Sequence, residues 1–252
     1  MKTYLDIRFM IGVLLAVFFF SFNSCKKDED QAEPACYPKN IYVDGEVFYK
    51  NEYDSQNRLF RQYLGGSTTE YFEYSYGNDR VVLNFVGVDT FGYYSNYPVI
   101  YELDENKRVV EETDAEGDVK YYNYDNNGYL IEEEYSNNDN SDYDYTIEYI
   151  WSNGLLINEI KTEDDGDIRT SVYEYSPQYN DVQYVNPGMN EGKKSKFHPT
   201  KVTEKVNSVI NTTTTYTYTF DAKGYITRSK MSIKFSSGNT LDLEYTMDYD
   251  CR

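Results

Sequence analysis

Histidine is almost absent from this chain: His198 is the only one in 252 residues. That removes most metal centres and most acid–base relays, which draw on several imidazoles or on one placed beside a nucleophile. His198 stands before Pro199 in a lysine-rich stretch and reads as a loop residue; no G-x-S-x-G or comparable nucleophile motif accompanies it. Basic charge is also scarce, with 24 Lys and Arg against 43 Asp and Glu and a net charge of −19. Nucleic acid, which needs a basic footprint, is therefore excluded as a partner, and so is docking on anionic lipid through charge. With so many acids on one surface, some pair will meet glycosidase spacing by chance, so paired carboxylates are no evidence for an enzyme. Glu163-Asp164-Asp165-Gly166-Asp167 and Asp139-Asn140-Ser141-Asp142 look like calcium loops only superficially, since neither keeps the D-x-[DN]-x-[DN]-G spacing with a distal Glu. No segment has the periodicity of an amphipathic helix. The expectation is a protein without enzymatic activity, cofactor or bound metal.

Long apolar runs are missing apart from Phe9 to Phe20, which follows Lys2 and Arg8 and is short of the roughly 20 residues of a membrane span. Residues 1–24 read as a signal peptide. Cys25, placed at its end, resembles the lipidation site of a bacterial lipoprotein, although Phe22-Asn23-Ser24 departs from the usual Leu-Ala-Gly while keeping a small residue before the cysteine. Lys26-Lys27-Asp28-Glu29-Asp30 resembles the lysine-then-acid export signal of Bacteroidetes surface lipoproteins, and residues 25–37 read as a flexible acidic tether. The implied location is the outer membrane, held by a lipid anchor, with the cell surface favoured over the periplasmic face.

Cysteine is sparse, at three residues. With Cys25 assigned to lipid, Cys36 and Cys251 remain at opposite ends of the folded region, either bridged or as two free thiols. In the chain-entropy model a bridge closing so long a loop is worth about 5 kcal/mol.

What the chain has in excess is tyrosine, 30 residues of it. A tyrosine-led unit recurs, clearest at Tyr122-Asn123-Tyr124-Asp125-Asn126-Asn127-Gly128-Tyr129-Leu130 and at Tyr218-Thr219-Phe220-Asp221-Ala222-Lys223-Gly224-Tyr225-Ile226. Its turn anchors fall near positions 54, 77, 104, 125, 152, 176, 221 and 248. A period of roughly 21–27 residues fits one hairpin of two strands and two connections. The strands alternate: Tyr145, Ile147, Tyr149 and Trp151 share a face opposite Thr146 and Glu148, and Tyr216, Tyr218 and Phe220 share one opposite threonines. Asp125 and Asp221 can bond the backbone two residues on, while Gly128 and Gly224 supply positive φ. The expected fold of residues 38–252 is a single all-β domain, an antiparallel up-and-down meander of about 14–16 strands that strand twist curls into a soluble barrel or half-barrel. A membrane pore is disfavoured because the face opposite the tyrosines is polar, where a lipid-facing barrel needs an apolar band.

The Y-x-[YF]-D-x-x-G-[YL] unit is similar to the tyrosine-aspartate repeats of Rhs-type β-shells. The order Gly192-Lys193-Lys194-Ser195-Lys196-Phe197-His198-Pro199-Thr200, followed by the unit at Tyr216 to Ile226, resembles a Bacteroidetes surface lipoprotein family of unknown function with a porin-like fold. The resemblance implies an anchored, many-stranded antiparallel sheet and carries no activity.

Two stretches interrupt the repeat and are the expected functional loops. Residues 86–98 hold Phe91, Tyr93, Tyr94 and Tyr97; residues 176–202 hold Tyr179, Tyr184 and a lysine cluster. Aromatic loops with neighbouring Asp and Asn suit stacking on sugar rings, so these tyrosines are candidate contacts for a glycan. The alternative is a structural or interaction module that docks an outer-membrane or extracellular protein partner.

Overall fold

A computed structural model describes residues 36–87, 98–138, 144–176 and 190–251. Sixteen strands follow one another as an antiparallel meander: β1(Cys36–Val43), β2(Glu46–Tyr53), β3(Leu59–Leu64), β4(Tyr71–Tyr76), β5(Arg80–Val86), β6(Pro98–Leu103), β7(Val109–Thr113), β8(Val119–Tyr124), β9(Leu130–Ser136), β10(Tyr145–Ser152), β11(Leu155–Glu163), β12(Ile168–Tyr175), β13(Pro199–Val206), β14(Val209–Phe220), β15(Ile226–Phe235) and β16(Thr240–Cys251). β1 pairs with β16 to close a barrel. The all-β meander is as expected, and of the two forms considered the closed one is present. The tether read as ending at residue 37 gives way to β1 at Cys36. Position 248, expected as a turn anchor, lies inside β16, and residues 199–202, expected in the irregular stretch, belong to β13(Pro199–Val206).

The connections sort onto two ends. At the near end, where β1 starts and β16 stops, the β2–β3, β6–β7, β8–β9 and β14–β15 turns are pinned by one aspartate each. Asp54 Oδ1 accepts from the N–H groups of Gln56 and Arg58, Asp104 Oδ1 from Asn106 and Arg108, Asp125 Oδ1 from Asn127 and Tyr129, and Asp221 Oδ1 from Lys223 and Tyr225. The fourth residue of each turn takes positive φ; Asn57, Gly128 and Gly224 are residue types that tolerate it, while Lys107 adopts it without that advantage. The hairpins Asp44-Gly45, Asn153-Gly154 and Asn207-Ser208 instead have positive φ at both central residues, the geometry that matches strand twist.

The tyrosine repeat has a structural purpose at this near end. In most odd-numbered strands the register skips one residue, as between Asn123 and Tyr124 against Leu130, and a skip leaves a ladder carbonyl free. An aromatic side chain from the end of the next even strand takes that carbonyl. Tyr53 donates to Pro38 O, Tyr76 to Leu59 O, Tyr124 to Val109 O, Tyr175 to Leu156 O, Tyr218 to Pro199 O and Tyr249 to Ile226 O, at 2.6–2.8 Å. Trp151 Nε1 does the same for Leu130 O at 2.7 Å. The residues whose carbonyls are taken include Leu59, Val109, Leu130, Leu156 and Ile226, among the most buried side chains of the chain. Leu103 of β6(Pro98–Leu103) is the exception: it has no donor, and its own N–H goes to Asp79 O.

A sixteen-stranded barrel is wide enough to leave a channel. Here the inward side chains are long. One cluster joins Val109, Tyr122, Leu130, Tyr149 and Leu156; another joins Val202, Tyr216, Met231, Ile233 and Tyr245; Tyr173 packs against both. Cys36 and Cys251 face each other in the closing pair and are joined by a disulfide.

Candidate functional site

Between β12(Ile168–Tyr175) and β13 the chain returns over the near end as a strap, described from Asn190 to His198. It is sewn to successive turns: Val109 N donates to Asn190 O at 2.8 Å, Lys193 N to Gly128 O at 2.7 Å and Lys196 N to Gly154 O at 3.1 Å. Leu156 N donates to Ser195 Oγ at 2.9 Å, and Tyr129 and Lys193 form a parallel bridge. Gly192 makes the close approach possible. A Cβ there would sit 2.6 Å from both Gly128 O and a ring carbon of Tyr124, at a φ of +84°.

The strap and two turns border an open cleft of about 540 Å³, lined by Asn106, Arg108, Tyr124, Asp125, Asn126, Asn127, Gly128, Asn190, Gly192 and Lys193. Its wall is preorganised. Arg108 Nε and Nη2 meet Asp104 Oδ2 at 2.7 and 2.6 Å, and the guanidinium lies 4.4 Å from the centre of the Tyr124 ring. Partial burial raises the Asp104 carboxyl, but the Arg108 N–H and guanidinium outweigh it and hold it below the usual range. Asp125 is likewise lowered, its burial outweighed by the N–H groups of Tyr129 and Asn127. Asn126 stands exposed with no bonding partner among the described residues. The site thus offers amides, a stacked guanidinium and an ammonium around an aromatic floor.

The barrel interior holds a second polar group, of tyrosine–carboxylate pairs. Tyr122 donates to Glu112 at 2.6 Å, Tyr145 and Tyr149 to Glu133 at 3.2 and 3.3 Å, and Tyr173 to Glu159 at 2.9 Å. Burial pushes Glu133 up, against the pull of Lys120, and lifts Glu159 to about 7 with help from Glu133 and Glu204. The same burial, with the Glu112 charge, pushes the Tyr122 phenol up. Every one of these carboxylates has a donor, so the group is internal packing rather than an open site. His198 is a loop residue as expected but a buried one, its ring 5.2 Å from that of Tyr218, and burial lowers it to about 4.

Glu163, Asp165 and Asp167 bring carboxylate oxygens within 4.8 Å of one another. One oxygen of each is bonded within the protein: Glu163 Oε1 by Lys161 at 2.9 Å and Arg169 at 3.1 Å, Asp165 Oδ1 by the Asp167 N–H, and Asp167 Oδ1 by Asn207 Nδ2 at 2.8 Å.

Of the residues expected from sequence, Cys25, Phe91, Tyr93, Tyr94, Tyr97, Tyr179 and Tyr184 lie outside the described residues. The cleft is built from others. A signal for part of it was present in Asp54-Ser55-Gln56-Asn57-Arg58 and Asp104-Glu105-Asn106-Lys107-Arg108, where the arginine four residues after the aspartate returns to it in both copies. Nothing in the sequence placed the strap against those turns.

The fold is shared with solved structures. A porin-like protein from Bacteroides uniformis is similar over 85% of this chain and 98% of its own, with a TM-score of 0.57 at 16% identity. A porin-like protein from Bacteroides vulgatus is similar over 86% of this chain and 99% of its own, with a TM-score of 0.58 at 12% identity. The porin-like barrel implied by the sequence resemblance is therefore the fold of this chain. No family model matches the chain, and no curated protein is significantly similar to it.

Proposed function

We propose that this chain is a non-enzymatic, glycan-binding lipoprotein, anchored at the outer-membrane surface through Cys25, and that the glycan contacts the near-end cleft. The observation that carries the reading is the cleft's lining. Amides from Asn106 and Asn126 can bond hydroxyls, and the polar wall is arranged around Tyr124 at a preformed concavity of about 540 Å³. The neighbouring acids spend their oxygens on turn N–H groups and on Arg108, which fits binding better than proton transfer. Charged pairs such as Lys230–Glu244 on the outer face sit poorly with a lipid-facing wall and favour a tethered barrel over a spanning one. With lipid on Cys25, the tether reaches the barrel at the cleft's own end. Thermal shift against a panel of oligosaccharides tests the reading. The expected result is a rise in melting temperature for at least one saccharide, abolished in an Asn106→Ala, Asn126→Ala double variant whose unliganded melting is unchanged. Silence across the whole panel would sink the glycan reading.

The interaction-module reading has its own support at the far end. Ile168 at the start of β12 and Val209 and Ile210 at the start of β14 are 45%, 70% and 53% exposed on the two strands that flank β13, and together they form an apolar patch at this rim.

A further inference from the structure

The cleft read above as a saccharide site has charge of one sign left over. Its one carboxylate, Asp125, is consumed: Oδ1 receives the N–H groups of Asn127 and Tyr129, and Oδ2 receives Asn127 Nδ2 at 3.2 Å. Its cations are not. Arg108 spends Nε and Nη2 on Asp104, leaving Nη1 turned toward Gly128, where a Cβ would lie 3.6 Å from it. Lys193 makes no ion pair among the described residues; its ammonium lies 5.5 Å from the Tyr129 ring centre. Lys194, next to it, is instead buried on Glu191 at 2.9 Å, and Lys201 meets Glu174 at 2.7 Å. Other lysines, such as Lys223 and Lys234, also lack an ion pair among the described residues; Lys193 differs from them in lining the cleft beside Arg108. The Lys193 backbone is also fixed, by its N–H on Gly128 O and by the close approach of Gly192.

We infer that the saccharide taken by this cleft is anionic, its carboxylate or sulfate lying between the Lys193 ammonium and Arg108 Nη1, while Asn106 and Asn126 bond ring hydroxyls. The inference rests on the glycan reading of the same cleft and adds the charge of the ligand. A paired charge-assisted bond is among the stronger contacts a polar cleft can make. The molecule contains its own control. Arg58 repeats the arrangement of Arg108, bonded to Asp54 at 2.7 Å and stacked 4.2 Å from the Tyr76 ring, but it does not line the cleft.

Titration calorimetry on the full chain with three probes of equal length settles the matter: an oligogalacturonate, the neutral galactose oligomer and a heparin-derived sulfated oligosaccharide. The expected result is that at least one acidic probe binds roughly tenfold tighter than the neutral one, with the gap narrowing in high salt. Whichever acidic probe binds better identifies the substituent. Lys193→Met should erase the gap and Arg58→Met should leave it. Equal affinity for acidic and neutral probes overturns the inference but leaves the glycan reading standing, whereas no binding of any probe overturns both.

Discussion

The tyrosines divide by what their hydroxyls touch. Those at the near end take backbone carbonyls, while those in the barrel interior donate to carboxylates, as Tyr122 does to Glu112 and Tyr173 to Glu159. A buried hydroxyl without a partner would cost about 1–3 kcal/mol, so the partners explain why the ring residues carry a polar handle. Glu159 sets a pH dependence. Its folded-state value of about 7 lies above the ordinary 4.5, so the proton is held more tightly in the folded state. Its favourable contribution is complete below about 4.5 and is lost as pH rises through about 7. Glu159→Gln keeps the shape and removes the ionisation. Thermal melts should show the variant level with wild type near pH 4 and more stable than it at pH 8; an equal difference at both pH values would assign the effect to packing instead.

At the scale of elements, the near end is a set of aspartate-pinned turns crossed by a strap. Four of these turns present the same bonded loop, yet only the β6–β7 and β8–β9 turns together line the cleft, because Asn190 to Lys193 lies beside them. Gly192 controls that contact. Gly192→Ala places a methyl group at 2.6 Å from Gly128 O, in a backbone conformation that alanine resists, so the strap has to lift. The expected outcome is faster amide exchange at Val109 and Lys193, with the β13–β16 region protected as before. Exchange unchanged at both amides would mean that the turns yield rather than the strap. Gly166 makes the comparison, since it too has positive φ, at +90°, but nothing lies within 4 Å of its Cβ direction.

Across the whole molecule, the closing pair β1–β16 decides whether a curled sheet becomes a barrel. Its register runs from Cys36 opposite Cys251 to Val43 opposite Tyr245, with the disulfide at its near-end limit. The bridge spans a sequence separation of 215 residues, so its removal frees a very long loop. A Cys36→Ser, Cys251→Ser variant should lose up to about 5 kcal/mol in urea unfolding, and the wild-type chain should migrate differently on reducing and non-reducing gels. Identical migration would show two thiols and leave β-pairing alone to hold the closure.

Much of this architecture was legible. Alternation in Tyr145 to Trp151 and in Tyr216 to Phe220 was enough to assign those side chains to one face, because a strand has period two whatever it pairs with. Asp125 and Gly128 announced their turn because the bonds involved are local. The far-end turns were harder to see, since Asn207-Ser208 lacks the glycine that advertises a tight hairpin; the anchor expected at 248 falls near the near-end limit of β16, where the strand runs on to Cys251 instead of turning. The use of Tyr124 on Val109 O, and of Trp151 on Leu130 O, depends on a register skip and on a neighbour 15 or 21 residues away. The cleft was hidden for the same reason at greater range, since Asn190 and Asn106 meet across 84 residues of chain. Local periodicity and turn chemistry by themselves determined the class of sheet and the direction of its tyrosines. Closure, the aromatic ring at the near end and the site were decided only in the tertiary structure, because each needs strands far apart in sequence to arrive side by side.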